Sequence, residues 1–305
     1  MHKKNDKQIK TNYRPISLLS CTGKVLERIV FASLYEYCSG NNLLTWRNSG
    51  FKPFDSTINQ LTFMVHKMYE ALERGEDICL VFLDVSKAFD KVFHEGLIFK
   101  LASFGVEGTL LQWFKSHLAG RSPRVVINGQ ESDWLDISAG VPQGSILGPL
   151  LFVIYVNDIV DQMETNPFLF ADDTSLMECI TDPNQSFART NRDLERLDKW
   201  ADQWRVTFNA QKTEYMIVSL QPIPLQYPEL HLNGVVLKQV TEHTHLGLTF
   251  NNKMTWDDHI TRVVTASSKL TCLLKRLYRR IPRHSKSQIY TTFIRPKLEY
   301  ACNIF

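Results

Sequence analysis

Phe168-Leu169-Phe170-Ala171-Asp172-Asp173-Thr174-Ser175-Leu176-Met177 consists of two short apolar runs with adjacent carboxylates between them. That pattern predicts a β-hairpin with acids at its turn. Side chains alternate faces along a strand, so Asp172 and Asp173 point the same way only where the turn twists them together. Like charges this close raise one another's pKa, and both stay ionised at little cost when a cation sits beside them. Asp is also an ordinary turn residue, so the pair alone reads more readily as a solvated turn. The decision rests on segments further out.

Upstream, Ile78-Cys79-Leu80-Val81-Phe82-Leu83 is an unbroken apolar run rich in β formers, which predicts a strand buried on both faces. It ends at Asp84, followed by Val85-Ser86-Lys87-Ala88-Phe89-Asp90. An acid at the exit of a buried strand needs a partner, either a metal ion or a cation such as Lys87. Asp90 is expected to bond the backbone around the strand-to-helix turn. Between these acids lies Ala139-Gly140-Val141-Pro142-Gln143-Gly144-Ser145-Ile146-Leu147-Gly148-Pro149, a glycine-bearing turn leading into an apolar helix. Such a turn lets backbone approach a ligand, and Gln143 offers both a donor and an acceptor there, although an ordinary helix start reads the same way.

The flanks carry simpler signals. Pro15 holds Arg14 extended. Val25, Leu26, Ile29, Val30 and Leu34 repeat at helical spacing, and so do Leu61, Val65, Met68 and Leu72 after a cap at Asp55 or Ser56. Asn128-Gly129 predicts a hairpin. Phe187, Leu194, Leu197, Ala201 and Trp204 mark an amphipathic helix. The stripe Ile260, Val263, Val264, Leu270, Leu273, Leu274 and Leu277 marks another. Between Arg262 and Leu298 stand ten Lys or Arg and no Asp or Glu, a one-signed stretch suited to a phosphate backbone.

Across 305 residues, 44% hydrophobic and 22% charged, there is material for one large core or a few subdomains. A net charge of +3 says little by itself; the clustering of the basic residues says more. Six scattered cysteines without metal-ligand spacing predict reduced, mostly buried thiols. The polar N-terminus lacks a signal peptide's apolar stretch, and Ile146 to Val156 is too short to cross a membrane, so the expected setting is intracellular, nucleus or cytoplasm alike.

Seven segments in this order resemble the reverse transcriptase domain of non-LTR (LINE-type) retrotransposons over nearly the whole chain. They are Tyr13-Arg14-Pro15-Ile16-Ser17-Leu18; Gly50-Phe51-Lys52 with Ser56-Thr57; Leu83-Asp84 through Asp90; Gly140 through Ser145 with Leu147-Gly148-Pro149; Phe170-Ala171-Asp172-Asp173; Asn209 with Lys212-Thr213; and His245-Leu246-Gly247. The resemblance implies an α+β right-hand polymerase. Residues 1–77 would be fingers, 78–99 the first catalytic strand of the palm, and 100–140 an insertion between fingers and palm. Residues 141–250 would complete the palm, and 251–305 would form an incomplete helical thumb.

The same resemblance implies an RNA-directed DNA polymerase acting on an RNA template, a DNA primer and dNTPs. Asp84, Asp172 and Asp173 would hold two Mg²⁺ ions, with Mn²⁺ as a substitute, since hard divalent cations take carboxylate oxygens. Arg14 and Lys52 would face the triphosphate, Gln143 and Gly144 the nucleotide and template. Phe89 would exclude a ribose 2′-hydroxyl, which argues against an RNA-making polymerase. Lys212 would be the general acid for pyrophosphate, and His245, Leu246 and Gly247 would support the primer end. An endonuclease region is expected in a longer parent protein. The alternative reading is an inactive fragment that only binds nucleic acid.

Overall fold

Ile78 to Leu83 carries no side chain that prefers water, and the fold leaves none of them in it. In the computed structural model, which describes residues 16–305 except 123, 128, 136–137, 222–224 and 278–279, strand β1 (Asp77–Asp84) is central. Tyr13, Arg14 and Pro15, and Asn128 of the expected hairpin, lie outside the described residues.

Around β1 the sheet has the order β4-β5-β1-β6-β9, with β4 (Asn166–Phe170), β5 (Asp173–Ile180), β6 (Glu214–Val218) and β9 (Lys238–Gln239). All pairings are antiparallel except β6 with β9. Three small hairpins flank it: β2 (Val126–Ile127) with β3 (Gln130–Glu131), β7 (His231–Leu232) with β8 (Val235–Val236), and β10 (Glu242–His245) with β11 (Leu248–Asn251).

Helices cover both faces, which is why the strands read as continuous apolar runs. Cys79, Val81 and Leu83 point into a core shared with α3 (His94–Ser103), α4 (Gly108–Leu118), α5 (Gly148–Val156) and α6 (Pro183–Gln203). Ile78, Leu80 and Phe82, on the alternate face, meet Leu61, Met64 and Met68 of α2 (Thr57–Glu73) and Leu248 and Phe250 of β11. Ser56 caps α2 by accepting from the Asn59 amide at 3.2 Å, while Asp55 accepts from the Ser56 amide at 2.8 Å.

Two apolar stripes predict helices correctly but not the faces that are buried. In α1 (Cys21–Gly40), Val25, Leu26 and Ile29 are exposed, and the helix buries Glu27, Leu34 and Cys38. The cause is polar: Glu27 accepts from Ser145 Oγ at 3.0 Å and from the Ile146 amide at 2.8 Å, which fixes the helix's rotation. In α7 (Asp257–Leu277), Ile260, Val264 and Leu273 are exposed while His259 and Ser267 are buried. Two further helices, α8 (Arg283–Ile289) and α9 (Arg295–Glu299), follow, and Tyr300 returns the chain to the body. Its hydroxyl meets Thr57 Oγ1 at 3.0 Å and donates to the Leu246 carbonyl at 2.6 Å.

The cysteines also differ from expectation. All six are free thiols, but only Cys38 and Cys79 are buried, Cys179 is intermediate, and Cys21, Cys272 and Cys302 are exposed. Among the described residues no helix is long and apolar enough to cross a membrane.

Candidate active site

The register of β1 against β5 sets Asp84 directly opposite Asp173, and Phe170 closes the β4–β5 hairpin on that same residue. The two-residue turn is Ala171-Asp172, with Ala171 at φ 58°, a left-handed conformation that usually goes to glycine. A buried clamp holds it there. Asn48 Oδ1 accepts from the Gly50 amide at 3.0 Å and from the Ala171 amide at 3.4 Å. The Ser49 amide donates to the Leu169 carbonyl at 2.9 Å and the Leu169 amide to the Arg47 carbonyl at 3.0 Å, so Asn48 meets β4 in a single parallel bridge at Leu169.

Asp84 is met from the other side by the segment after α6. The Asn209 amide donates to the Asp84 carbonyl at 2.8 Å, and the Asp84 amide donates to Thr213 Oγ1 at 3.3 Å. This turn sets Lys212 Nζ 3.7 Å from Asp84 Oδ2. The cation beside Asp84 is therefore Lys212 and not Lys87, which instead takes a left-handed backbone at φ 53° at the start of the following turn.

The glycine-bearing turn closes the opposite wall. Gln143 Nε2 donates to Asp90 Oδ1 at 2.6 Å, so Asp90 holds a distant side chain where a local backbone bond was expected. The Val141 amide donates to the Phe89 carbonyl at 2.8 Å, and the Ser17 amide to the Gln143 carbonyl at 2.8 Å. Gly144 has φ 106°, and an added Cβ would sit 3.2 Å from the Ser17 carbonyl oxygen. The Phe89 ring stacks on buried Phe152 (4.5 Å between centroids) and takes the edge of Phe51 (5.8 Å).

Together these walls enclose a cleft of about 920 Å³ lined by Asp84, Phe89, Gln143, Gly144, Asp172 and Lys212 among others. Six of the residues singled out from sequence thus share one cavity, and Asp173 adjoins it as the register partner of Asp84. Its carboxyl is pushed up to about 6, first by burial and then by the charges of Asp172 and Asp84. Lys52 and the His245-Leu246-Gly247 turn are not among the residues that line the cleft. Lys52 gives its ammonium to the Thr45 carbonyl at 2.5 Å, and burial lowers its pKa. Arg14 lies outside the described residues. His245, Leu246 and Gly247 form the end of β10 and its turn, tied to β1 through Phe82, whose ring stacks on His243 at 3.8 Å and tilts against His245 at 5.4 Å. Burial, reinforced by His243, holds His245 near 3, a neutral ring.

Glu27 and Asn48 are the positioning residues that sequence reasoning missed. The available signals were an acid inside an apolar helical stripe and an Asn beside the Gly50-Phe51 turn. Among the described residues no three His, Cys, Asp or Glu side chains form a ready-made metal cage. Asp84, Asp172 and Asp173 gather three carboxylates, with Lys212 3.7 Å from Asp84 and Lys87 and Lys91 also lining the cleft, a donor set that fits a divalent metal ion.

The site is an acid-tipped hairpin on a helix-backed antiparallel sheet, and comparison with known proteins supplies the family. The family described as reverse transcriptase (RNA-dependent DNA polymerase) matches residues 1–250. This chain belongs to that family. It is 31% identical, over 96% of its length and 33% of the relative's, to the RNA-directed DNA polymerase from mobile element jockey of Drosophila melanogaster. It is 28% identical to the probable RNA-directed DNA polymerase from transposon X-element of the same species, covering 96% of this chain and 33% of that one. The resemblance to non-LTR retrotransposons holds, and the chain spans about a third of the length of these relatives. In fold it is similar to apo telomerase from Candida tropicalis truncated from its C-terminal domain, with a TM-score of 0.53 and 13% identity over 76% of this chain and 44% of that one. The α+β right-hand architecture is therefore the observed one.

Proposed function

We propose that this chain is the polymerase core of a longer retrotransposon protein and adds dNTPs to a DNA primer's 3′-hydroxyl opposite an RNA template. The observation that carries this reading is the convergence of Asp84, Asp172 and Lys212 on one cleft whose far wall is Phe89 and Gln143. Asp84 and Asp172, with Asp173 paired in register to Asp84, would hold Mg²⁺ (or Mn²⁺), which would supply Lewis acidity for the primer hydroxyl and offset charge on the leaving pyrophosphate.

The chain's own residues do the rest. Lys212 stands on the acid side of the cleft, placed to give a proton to the leaving pyrophosphate. Gln143, held by Asp90, and the open backbone at Gly144 orient the base and template. Phe89, backed by Phe152, occupies the space a ribose 2′-hydroxyl would need. Arg14 is assigned to the triphosphate by resemblance alone. Residues 1–77 are read as fingers, 78–99 and 141–250 as palm, 100–140 as an insertion and 251–305 as thumb, with the hairpin at His245-Leu246-Gly247 under the primer end. The length of the relatives fits a parent that also carries an endonuclease region, working inside the cell. An inactive, merely binding fragment is less well supported, because the acidic set and its positioning contacts are all present.

The test is Mg²⁺-dependent dNTP incorporation on an RNA template with a DNA primer. Asp172→Ala is expected to reduce incorporation about a hundred- to a thousandfold, on the scale of losing a main charge-stabilising group in a transition state. Incorporation by the variant at the wild-type rate would remove Asp172 from the chemistry.

A further inference from the structure

On the other side of β4 from α6, the segment before Gly50 and the first turns of α2 border a second, smaller cavity of about 270 Å³. Its lining includes Trp46, Arg47, Phe63, Phe168, Gln60 and Asp55. Gln60 is only 3% exposed, yet neither its Nε2 nor its Oε1 has a hydrogen-bond partner. A buried carboxamide with both ends unmet is costly to fold around, and a leucine of similar size would avoid that cost. Its presence points to a ligand that supplies one donor and one acceptor side by side.

The walls say what kind of ligand. Trp46 is 67% exposed, unusual for the largest apolar side chain, and the Arg47 guanidinium lies over its ring at 4.7 Å. Phe63 meets Trp46 edge-on at 6.1 Å and Phe168 at 5.9 Å, which makes a continuous aromatic wall down to the hairpin that delivers Asp172. Flat aromatic and guanidinium surfaces stack nucleobases, and a glutamine carboxamide pairs bidentately with adenine. The acid at the rim, Asp55, is already engaged by the Ser56 amide, while burial disfavours the charge on Arg47 unless an anion answers it.

We propose that this cavity takes one unstacked base, adenine by preference, from a single RNA strand beside the catalytic hairpin. The proposal rests on the polymerase reading only in taking the ligand to be a nucleic acid.

Binding of the whole chain to three short single strands of equal length, oligoadenylate, oligouridylate and an abasic ribose-phosphate strand, tests it. Wild type should prefer oligoadenylate. Gln60→Leu should weaken oligoadenylate about tenfold, the scale of a bidentate base contact, and leave the abasic strand unchanged. Trp46→Ala, at an exposed position that tolerates truncation, should weaken both base-bearing strands about tenfold. Equal binding of wild type to all three strands, or full oligoadenylate affinity in both variants, overturns the pocket. If dNTP incorporation proceeds while that happens, only the pocket falls; if no strand binds and nothing is incorporated, the polymerase reading falls with it.

Discussion

Phe89 and Lys100 show how a single side chain's surroundings decide what it does. Phe89 is wedged between Phe152 and Phe51, so its ring cannot swing away from the cleft without breaking two aromatic contacts. Phe89→Ala should therefore raise rNTP incorporation relative to dNTP on the order of a hundredfold, a steric discrimination typical of a filled pocket. Unchanged sugar selectivity in a variant that still extends primers would clear Phe89 of the role. Lys100 is 4% exposed, donates to Asp158 Oδ1 at 2.5 Å and to the Tyr155 carbonyl, and lies 3.8 Å from the Trp204 ring centre. Burial outweighs Asp158 and lowers its pKa from 10.5 to about 8. The unfolded chain therefore holds this proton through a window where the folded one releases it, so stability rises with pH between those values. Relative to Lys100→Met, wild type should gain roughly 2 kcal/mol between about pH 8 and 10 in denaturant titrations. A difference that stays flat across that range would show that the ammonium is not desolvated.

At the scale of elements, the contact between the Gly50-Phe51 turn and the β4–β5 hairpin matters most. A methyl group on Gly50 would sit 2.3 Å from the Ala171 amide nitrogen. Gly50→Ala must push the two backbones apart, at a cost of about 1–3 kcal/mol, and Asp172 moves with its turn. The melting temperature should fall and dNTP incorporation should fall further than the lost stability explains. A variant that melts and polymerises like wild type would mean that this approach is not required. The same region shows what the sequence made legible. Apolar periodicity located β1, α2, α6 and the acid hairpin, because each buries the face its pattern marks. It failed for α1, where Glu27 inside the stripe, and not Val25 or Ile29, turns inward. Periodicity counts apolar positions and carries no account of a buried acid satisfied by a turn over a hundred residues later. Local pattern marks Asp84, Asp172 and Gln143, and Lys212 enters through the family resemblance alone; Asn48 has no such signal, since its role exists only once Gly50 and Ala171 are neighbours.

For the molecule as a whole, the sheet separates two cores, and the cleft opens where β1 and the β4–β5 turn end, so any strand reaching it must pass over other surfaces. The C-terminal stretch supplies a basic one, but composition overstates it. Arg295 is paired with Glu299 at 2.7 Å, and Arg262 donates to Thr249 Oγ1 at 3.0 Å. Lys269, Lys275, Arg276, Arg283 and Lys297 are exposed, and Lys269 and Lys297 share with Arg262 a groove of about 720 Å³ along α7, whose other charged walls are Glu242 and Asp258. If about four of these exposed cations meet phosphates, log affinity for a template–primer duplex should fall against log salt with a slope of about −3 to −4. Lys269→Gln with Arg276→Gln should flatten that slope by about 2, weakening all duplex sequences alike because phosphates carry no sequence. Both positions are exposed, so thermal melting should match wild type. A slope near zero, or one that the double substitution leaves untouched, would move the duplex off this face and leave the basic run without a role in binding.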